Sequence, residues 1–183
     1  MSVIKGSFLR ICFISVMSLV IAACGFQLQG VTPLPFDTLL VTIPENTEFG
    51  ADVRRAIKAA SPKTRIINAR DERFDAELQQ VSQTRTAREV SLNAQGRVEE
   101  FELTLTYTFR IVDANRDVIL PNTTLVATRD MPFDDQVVQA KEGEQATLFR
   151  QMQKSLVSRL MRRISAPDVA ENYQKLQAAK RNG

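Results

Sequence analysis

The run Leu19-Val20-Ile21-Ala22-Ala23-Cys24-Gly25 puts a thiol directly after two small residues, at the end of an apolar stretch. A cysteine in that setting is the group that lipoprotein maturation alkylates before the chain is cut in front of it. Lys5 and Arg10 form a basic flank, and Ile11 to Ile21 is uncharged. That apolar stretch is shorter than the roughly 20 residues a bilayer span needs, and its flanks are those of an export signal. The segment is therefore expected to be a lipoprotein signal peptide over residues 1–23, with an acylated Cys24 as the first mature residue. Stable anchoring takes two or more lipid signals, at about 0.8 kcal/mol per buried methylene, and a multiply acylated Cys24 meets that condition. The competing reading is a plain signal peptide or anchor helix that happens to contain Cys24.

Elsewhere the chemistry is sparse. Histidine is absent, which removes the commonest general base and the commonest metal ligand and excludes Ser-His-Asp and Cys-His hydrolases. Glu99, Glu100 and Glu102 are clustered and in principle form a carboxylate pair for acid and base work. Glu100 and Glu102 stand two apart in an alternating segment, however, so both leave the same polar face and are expected to point into water. On these residues the chain is not expected to be an enzyme. A carboxylate-dependent envelope hydrolase is the enzymatic alternative.

Removing residues 1–23 from the 183 leaves 160, a length suited to one domain with its own core. Without Lys5 and Arg10, the 24 basic residues fall to 22 against 21 acidic ones. A chain so nearly balanced carries no overall field for nucleic acid, so an anionic ligand must be met by a local cluster of cations. The only other cysteine, Cys12, lies in the signal segment, so no disulfide is expected within the mature domain.

The elements that would carry these groups follow from periodicity. Residues 24–35 contain Gly25, Gly30, Pro33 and Pro35 and read as a lipidated tether. Phe36–Ile43 reads as a first strand closed by Pro44. Phe49, Val53, Ile57 and Ala60 recur at helical spacing, with Thr47 as cap, Glu48 in the first turn and Pro62 past the end. Thr64–Ala69 is a short second strand, and Phe74 to about Val90 a long polar third.

The clearest strand runs from Val98 to Val112, where Phe101, Leu103, Leu105, Tyr107, Phe109 and Ile111 alternate with polar residues. A fifth runs from Val118 to about Thr128, with Pro121 marking an edge or a bulge. A second helix follows, amphipathic through Leu148, Phe149, Met152, Leu156, Val157, Leu160 and Ile164. Gly143 costs about 1 kcal/mol inside a helix, so this helix is expected to begin after it. The charged tail 167–183 is expected to be a short helix or disordered. The predicted fold is α+β, with two helices packed on one face of a mostly antiparallel sheet of four or five strands, in a single domain over 36–166.

Three segments resemble the family of lipopolysaccharide-assembly lipoproteins, LptE. They are Cys24-Gly25-Phe26-Gln27-Leu28-Gln29-Gly30, then Gly96-Arg97-Val98-Glu99-Glu100-Phe101-Glu102-Leu103, then Ala140-Lys141-Glu142-Gly143-Glu144-Gln145 ahead of a helix ending Arg162-Arg163-Ile164. The resemblance implies a domain seated in the lumen of a large β-barrel partner, LptD, where it supports assembly and lipopolysaccharide export, and it implies no enzyme, no metal and no cofactor. By likeness to enterobacterial lipoproteins, Gly25 in place of Asp implies the outer membrane, periplasmic side. Lys141 matches the family's Ala-Lys-x-x-Glu-Gln pattern, and lipopolysaccharide, with its phosphates and acyl chains, calls for cations beside apolar surface. The expected ligand-binding residues are Lys141 with Arg85, Arg88 and Arg97 around the hairpin of strands three and four. Their alternative role is ordinary solubilising charge. The alternative function is a stand-alone periplasmic lipid-binding or transport-auxiliary lipoprotein.

Overall fold

The computed structural model describes residues 33–70, 72–133 and 138–182. The signal segment 1–23, Cys24 and the tether as far as residue 32 lie outside the described residues. The elements are β1 (Thr38–Val41), α1 (Glu48–Ala60), β2 (Arg65–Ile67), β3 (Ala76–Leu92), β4 (Val98–Asp113), β5 (Val118–Pro132), α2 (Val138–Ile164) and α3 (Pro167–Asn182). The five strands form one sheet in the order β2-β1-β3-β4-β5. β1 runs parallel to β2 and β3, and β3–β4 and β4–β5 are antiparallel. The long ladders are thus the antiparallel ones, as predicted, while the short ones make the sheet mixed.

The alternation read in β4 is realised. Leu103, Leu105, Tyr107, Phe109 and Ile111 are fully buried on the helix side, and the opposite face carries cross-strand polar pairs such as Thr108–Thr124 at 2.9 Å and Arg110–Gln79 at 2.6 Å. α1 lays Phe49, Val53 and Ile57 into the core. α2 contributes Phe149, Met152, Leu156, Val157, Leu160 and Ile164, and Leu148 is half-buried beside them. Thr47 caps α1 by accepting a hydrogen bond from the Gly50 N–H at 3.0 Å.

Three boundaries differ from expectation, each for a physical reason. Leu34 is buried in the core and its N–H donates to Ser61 Oγ at 3.2 Å, so packing begins two residues before Phe36. The tail is a full helix, α3. Val169 is buried, Tyr173 meets Phe36 edge-on at 5.0 Å, Asn172 Nδ2 donates to the Ile119 carbonyl at 3.2 Å, and Lys180 pairs with Asp113. These contacts lie far apart in sequence, so local propensity carries no sign of them.

Finally, α2 runs straight through Gly143. The penalty for one glycine is smaller than the gain from extending a helix already nucleated over 20 residues further on. A Cβ at Gly143 meets nothing within 4 Å. Gly143→Ala is therefore expected to stabilise the protein by about 1 kcal/mol, raising a thermal midpoint by roughly 2–4 °C. At Gly50 the opposite holds, since a Cβ there would stand 2.0 Å from the Pro44 carbonyl oxygen.

β1 pairs with β3 only as far as Leu78. Beyond it, β3 is a strand edge, and Val81, Val90 and Leu92 are exposed. On the far side of the sheet, the outer edge of β5 is interrupted. Arg159 donates to the Val126 carbonyl, Asn172 to that of Ile119, and the register skips across Pro121 and Asn122, which gives Pro121 both the edge position and the bulge expected of it.

Candidate functional site

A ladder bulge decides which residues of β3 face the helices. Partners in register share a face, so Leu78 opposite Ile111 and Gln80 opposite Phe109 point inward. The register then shifts between Gln80 and Ser82, leaving Val81 exposed. From there the inward residues are Gln83 opposite Tyr107, Arg85 opposite Leu105 and Ala87 opposite Leu103. One extra residue thus exchanges the faces of everything downstream.

This geometry divides the four expected ligand residues. Arg85 sits on the helix side, with its guanidinium carbon 5.4 Å from the Phe149 ring centroid. Arg88 leaves the opposite face, where its Nη2 donates to Glu102 Oε1 at 3.1 Å. Arg97 stands in the β3–β4 turn, which is built by Asn93 Oδ1 accepting from the N–H groups of Gln95 and Arg97 at 3.0 and 2.9 Å, with Gly96 at φ 76°. Lys141 lies in the first turn of α2 and donates to Glu144 Oε2 at 2.8 Å. Lys141 precedes Leu148 by seven residues, which puts it on the sheet-facing stripe of α2. Its side chain is 19 % exposed. Arg85 and Lys141 therefore share the helix layer, and Arg88 does not.

The same layer holds an open cleft of about 560 Å³ between α1, β3 and α2. Gln80, Gln83 and Arg85 line it from β3, Arg150 and Gln153 from α2, and Glu48 from α1. Gln153 is 5 % exposed, and its amide makes no hydrogen bond to another described residue. Arg150 Nη2 donates to Thr147 Oγ1 at 2.8 Å.

Sequence reasoning missed this cleft. The exposed row of Arg150, Lys154 and Arg162 reads by its spacing of four as a solvated helix face. The available signal was Gln153, an amide inside an otherwise apolar stripe. The glutamines of β3 were hidden, because the bulge breaks the period of two on which their facing depends.

Two of the β4 carboxylates stand on the polar face of the sheet. Glu102 is held by Arg88, and Glu100 lies two residues away on the same polar face, opposite Pro132. Among the described residues no group of three or more acidic or sulfur side chains is placed to hold a metal ion. No described helix is long and apolar enough to cross a membrane.

The fold defines a two-layer α+β domain with one wet sheet face and a lateral polar cleft. The chain belongs to the lipopolysaccharide-assembly family LptE, which it matches over residues 36–164. It is 23% identical over 150 residues to the LPS-assembly lipoprotein LptE of Pectobacterium atrosepticum, covering 80% of this chain and 79% of that protein. The fold is similar to the solution structure of an uncharacterized lipoprotein B from Nitrosomonas europaea, with 34% identity, a TM-score of 0.63 and coverage of 78% and 91% of the two chains. It is also similar to a minor lipoprotein of Acinetobacter baumannii, at 24% identity, TM-score 0.57 and coverage of 73% and 93%.

Proposed function

We propose that this protein is an outer-membrane lipoprotein, anchored through an acylated Cys24 on the periplasmic side. In this reading it acts as plug and assembly subunit within a large β-barrel partner of the LptD type and binds lipopolysaccharide during its export. The observation that carries the reading is the family match over residues 36–164, joined to the Ala22-Ala23-Cys24 processing pattern. The geometry supports it in two respects. The strands β3, β4 and β5 run on together well beyond the end of β1, and the wet face of the sheet offers polar pairs of the kind found at a hydrated contact. Lys141 and Arg85, both beside apolar surface in the helix layer, are the favoured cations for lipopolysaccharide. Arg97 at the hairpin turn and Arg88 on the wet face complete the proposed set.

Native extraction tests this directly. Tagged full-length protein at its natural expression level, solubilised in mild detergent, is expected to bring down one β-barrel outer-membrane protein in near-equal amount. Recovery of the lipoprotein without a barrel would overturn the plug role and favour a stand-alone lipid-binding lipoprotein.

A further inference from the structure

The donors and acceptors around the cleft between α1, β3 and α2 specify a ligand. Arg85 and Arg150 present only donors and carry positive charge, which suits an anion with several oxygens. Gln80, Gln83 and Gln153 each present a donor and an acceptor, which suits hydroxyl groups, since these also give and take a hydrogen bond. Glu48 at the rim adds a further acceptor. Gln153 is the decisive observation. Its side chain stands within the apolar stripe of α2 and borders the cleft, where its amide donor and acceptor are open to a ligand or to water. Arg85 is already oriented by the Phe149 ring, so little rotamer freedom remains for it to lose on binding.

We propose that this cleft is a subsite for a phosphorylated saccharide, with the phosphate between Arg85 and Arg150 and the sugar hydroxyls on Gln80, Gln83 and Gln153. The inference deepens the lipopolysaccharide reading and rests on it for the source of the sugar. The same chemistry is offered by a free sugar phosphate. Lys141, two turns of α2 away from Phe149, lies outside the cleft lining.

The test is calorimetric titration of the full-length protein in detergent. The probes are a bisphosphorylated glucosamine disaccharide without acyl chains, the same disaccharide without phosphate, inorganic phosphate, and intact lipopolysaccharide. The phosphorylated disaccharide is expected to bind about tenfold or more tightly than either the bare disaccharide or phosphate alone. Arg85→Ala and Arg150→Ala are each expected to weaken it about tenfold, and Gln153→Met several-fold, with unchanged melting temperatures.

Wild-type affinity in all three variants would overturn the subsite, even if intact lipopolysaccharide still bound. Phosphate binding as tightly as the phosphorylated disaccharide would overturn its saccharide part. Binding of the phosphorylated disaccharide without binding of intact lipopolysaccharide would uphold the cleft, assign it to a free sugar phosphate and remove the lipopolysaccharide reading instead.

Discussion

Tyr107→Ala is expected to destabilise the domain by roughly 3–5 kcal/mol, whereas Tyr107→Phe is expected to stabilise it by about 1 kcal/mol. The ring is fully buried. It meets Phe49 edge-on at 4.7 Å and stacks on Phe109 at 5.8 Å, tying α1 to the centre of β4. Truncation removes both contacts and leaves a cavity that rigid strand neighbours cannot close. The hydroxyl is a different matter, because it is buried without a hydrogen-bond partner. The same burial pushes its pKa far above the ordinary tyrosine range, so the group is a neutral phenol at any pH the fold experiences. Phenylalanine keeps the ring and deletes the orphaned donor. Urea unfolding of the two variants gives both signs in one experiment. Loss of stability in Tyr107→Phe would mean that the hydroxyl is satisfied in solution.

The second large effect belongs to Asp113, at the end of β4. Its carboxylate is 2 % exposed and Oδ1 accepts the N–H groups of Asn115 and Asp117, each at 2.9 Å, closing the β4–β5 turn. Its Oδ2 takes Lys180 from the last turn of α3. Asp113→Ala removes three acceptor contacts at once and is expected to cost about 3 kcal/mol. Asp113→Asn keeps an oxygen for the turn and should lose less. Lys180→Ala should lose less still, while exposing the end of α3 to protease.

The hydrogen bond that Lys180 donates to Asp113, foremost, holds its ammonium above the ordinary lysine range. A raised folded value means that this contribution is complete below the unfolded lysine value and fades as pH climbs through the folded one. Stability differences between wild type and Lys180→Ala should therefore be constant at neutral pH and shrink only in strong alkali. A difference that vanished near pH 7 would contradict the assignment.

Residues whose surroundings are set by near neighbours were readable from the sequence. The face of β4 followed from an unbroken period of two, the cap of α1 from Thr47, and the stripe of α2 from spacings of three and four. What escaped depended on distant partners or on a break in period. α3 is ordered by Phe36, Ile119 and Asp113, each more than 50 residues from the α3 residue it meets. Gly143 misled because a local penalty was weighed without the cooperativity of the helix around it. Arg85 and Arg88 looked like one basic tip, and the bulge at Val81 with the ordinary alternation of the strand put them on opposite sides of the sheet. The polar cleft was invisible for the same reason.

The unequal finish of the two sheet margins bears on how this protein behaves when crowded. Strand-by-strand growth into a fibre requires every added copy to expose a fresh row of backbone donors and acceptors for the next. Here the β5 margin has carbonyls occupied by Arg159 and Asn172, and β2 is only three residues long. A copy that paired through the open length of β3 would offer its successor no comparable row. The side chains seated on β5 and the shortness of β2 make both margins poorer templates for strand addition than the open length of β3.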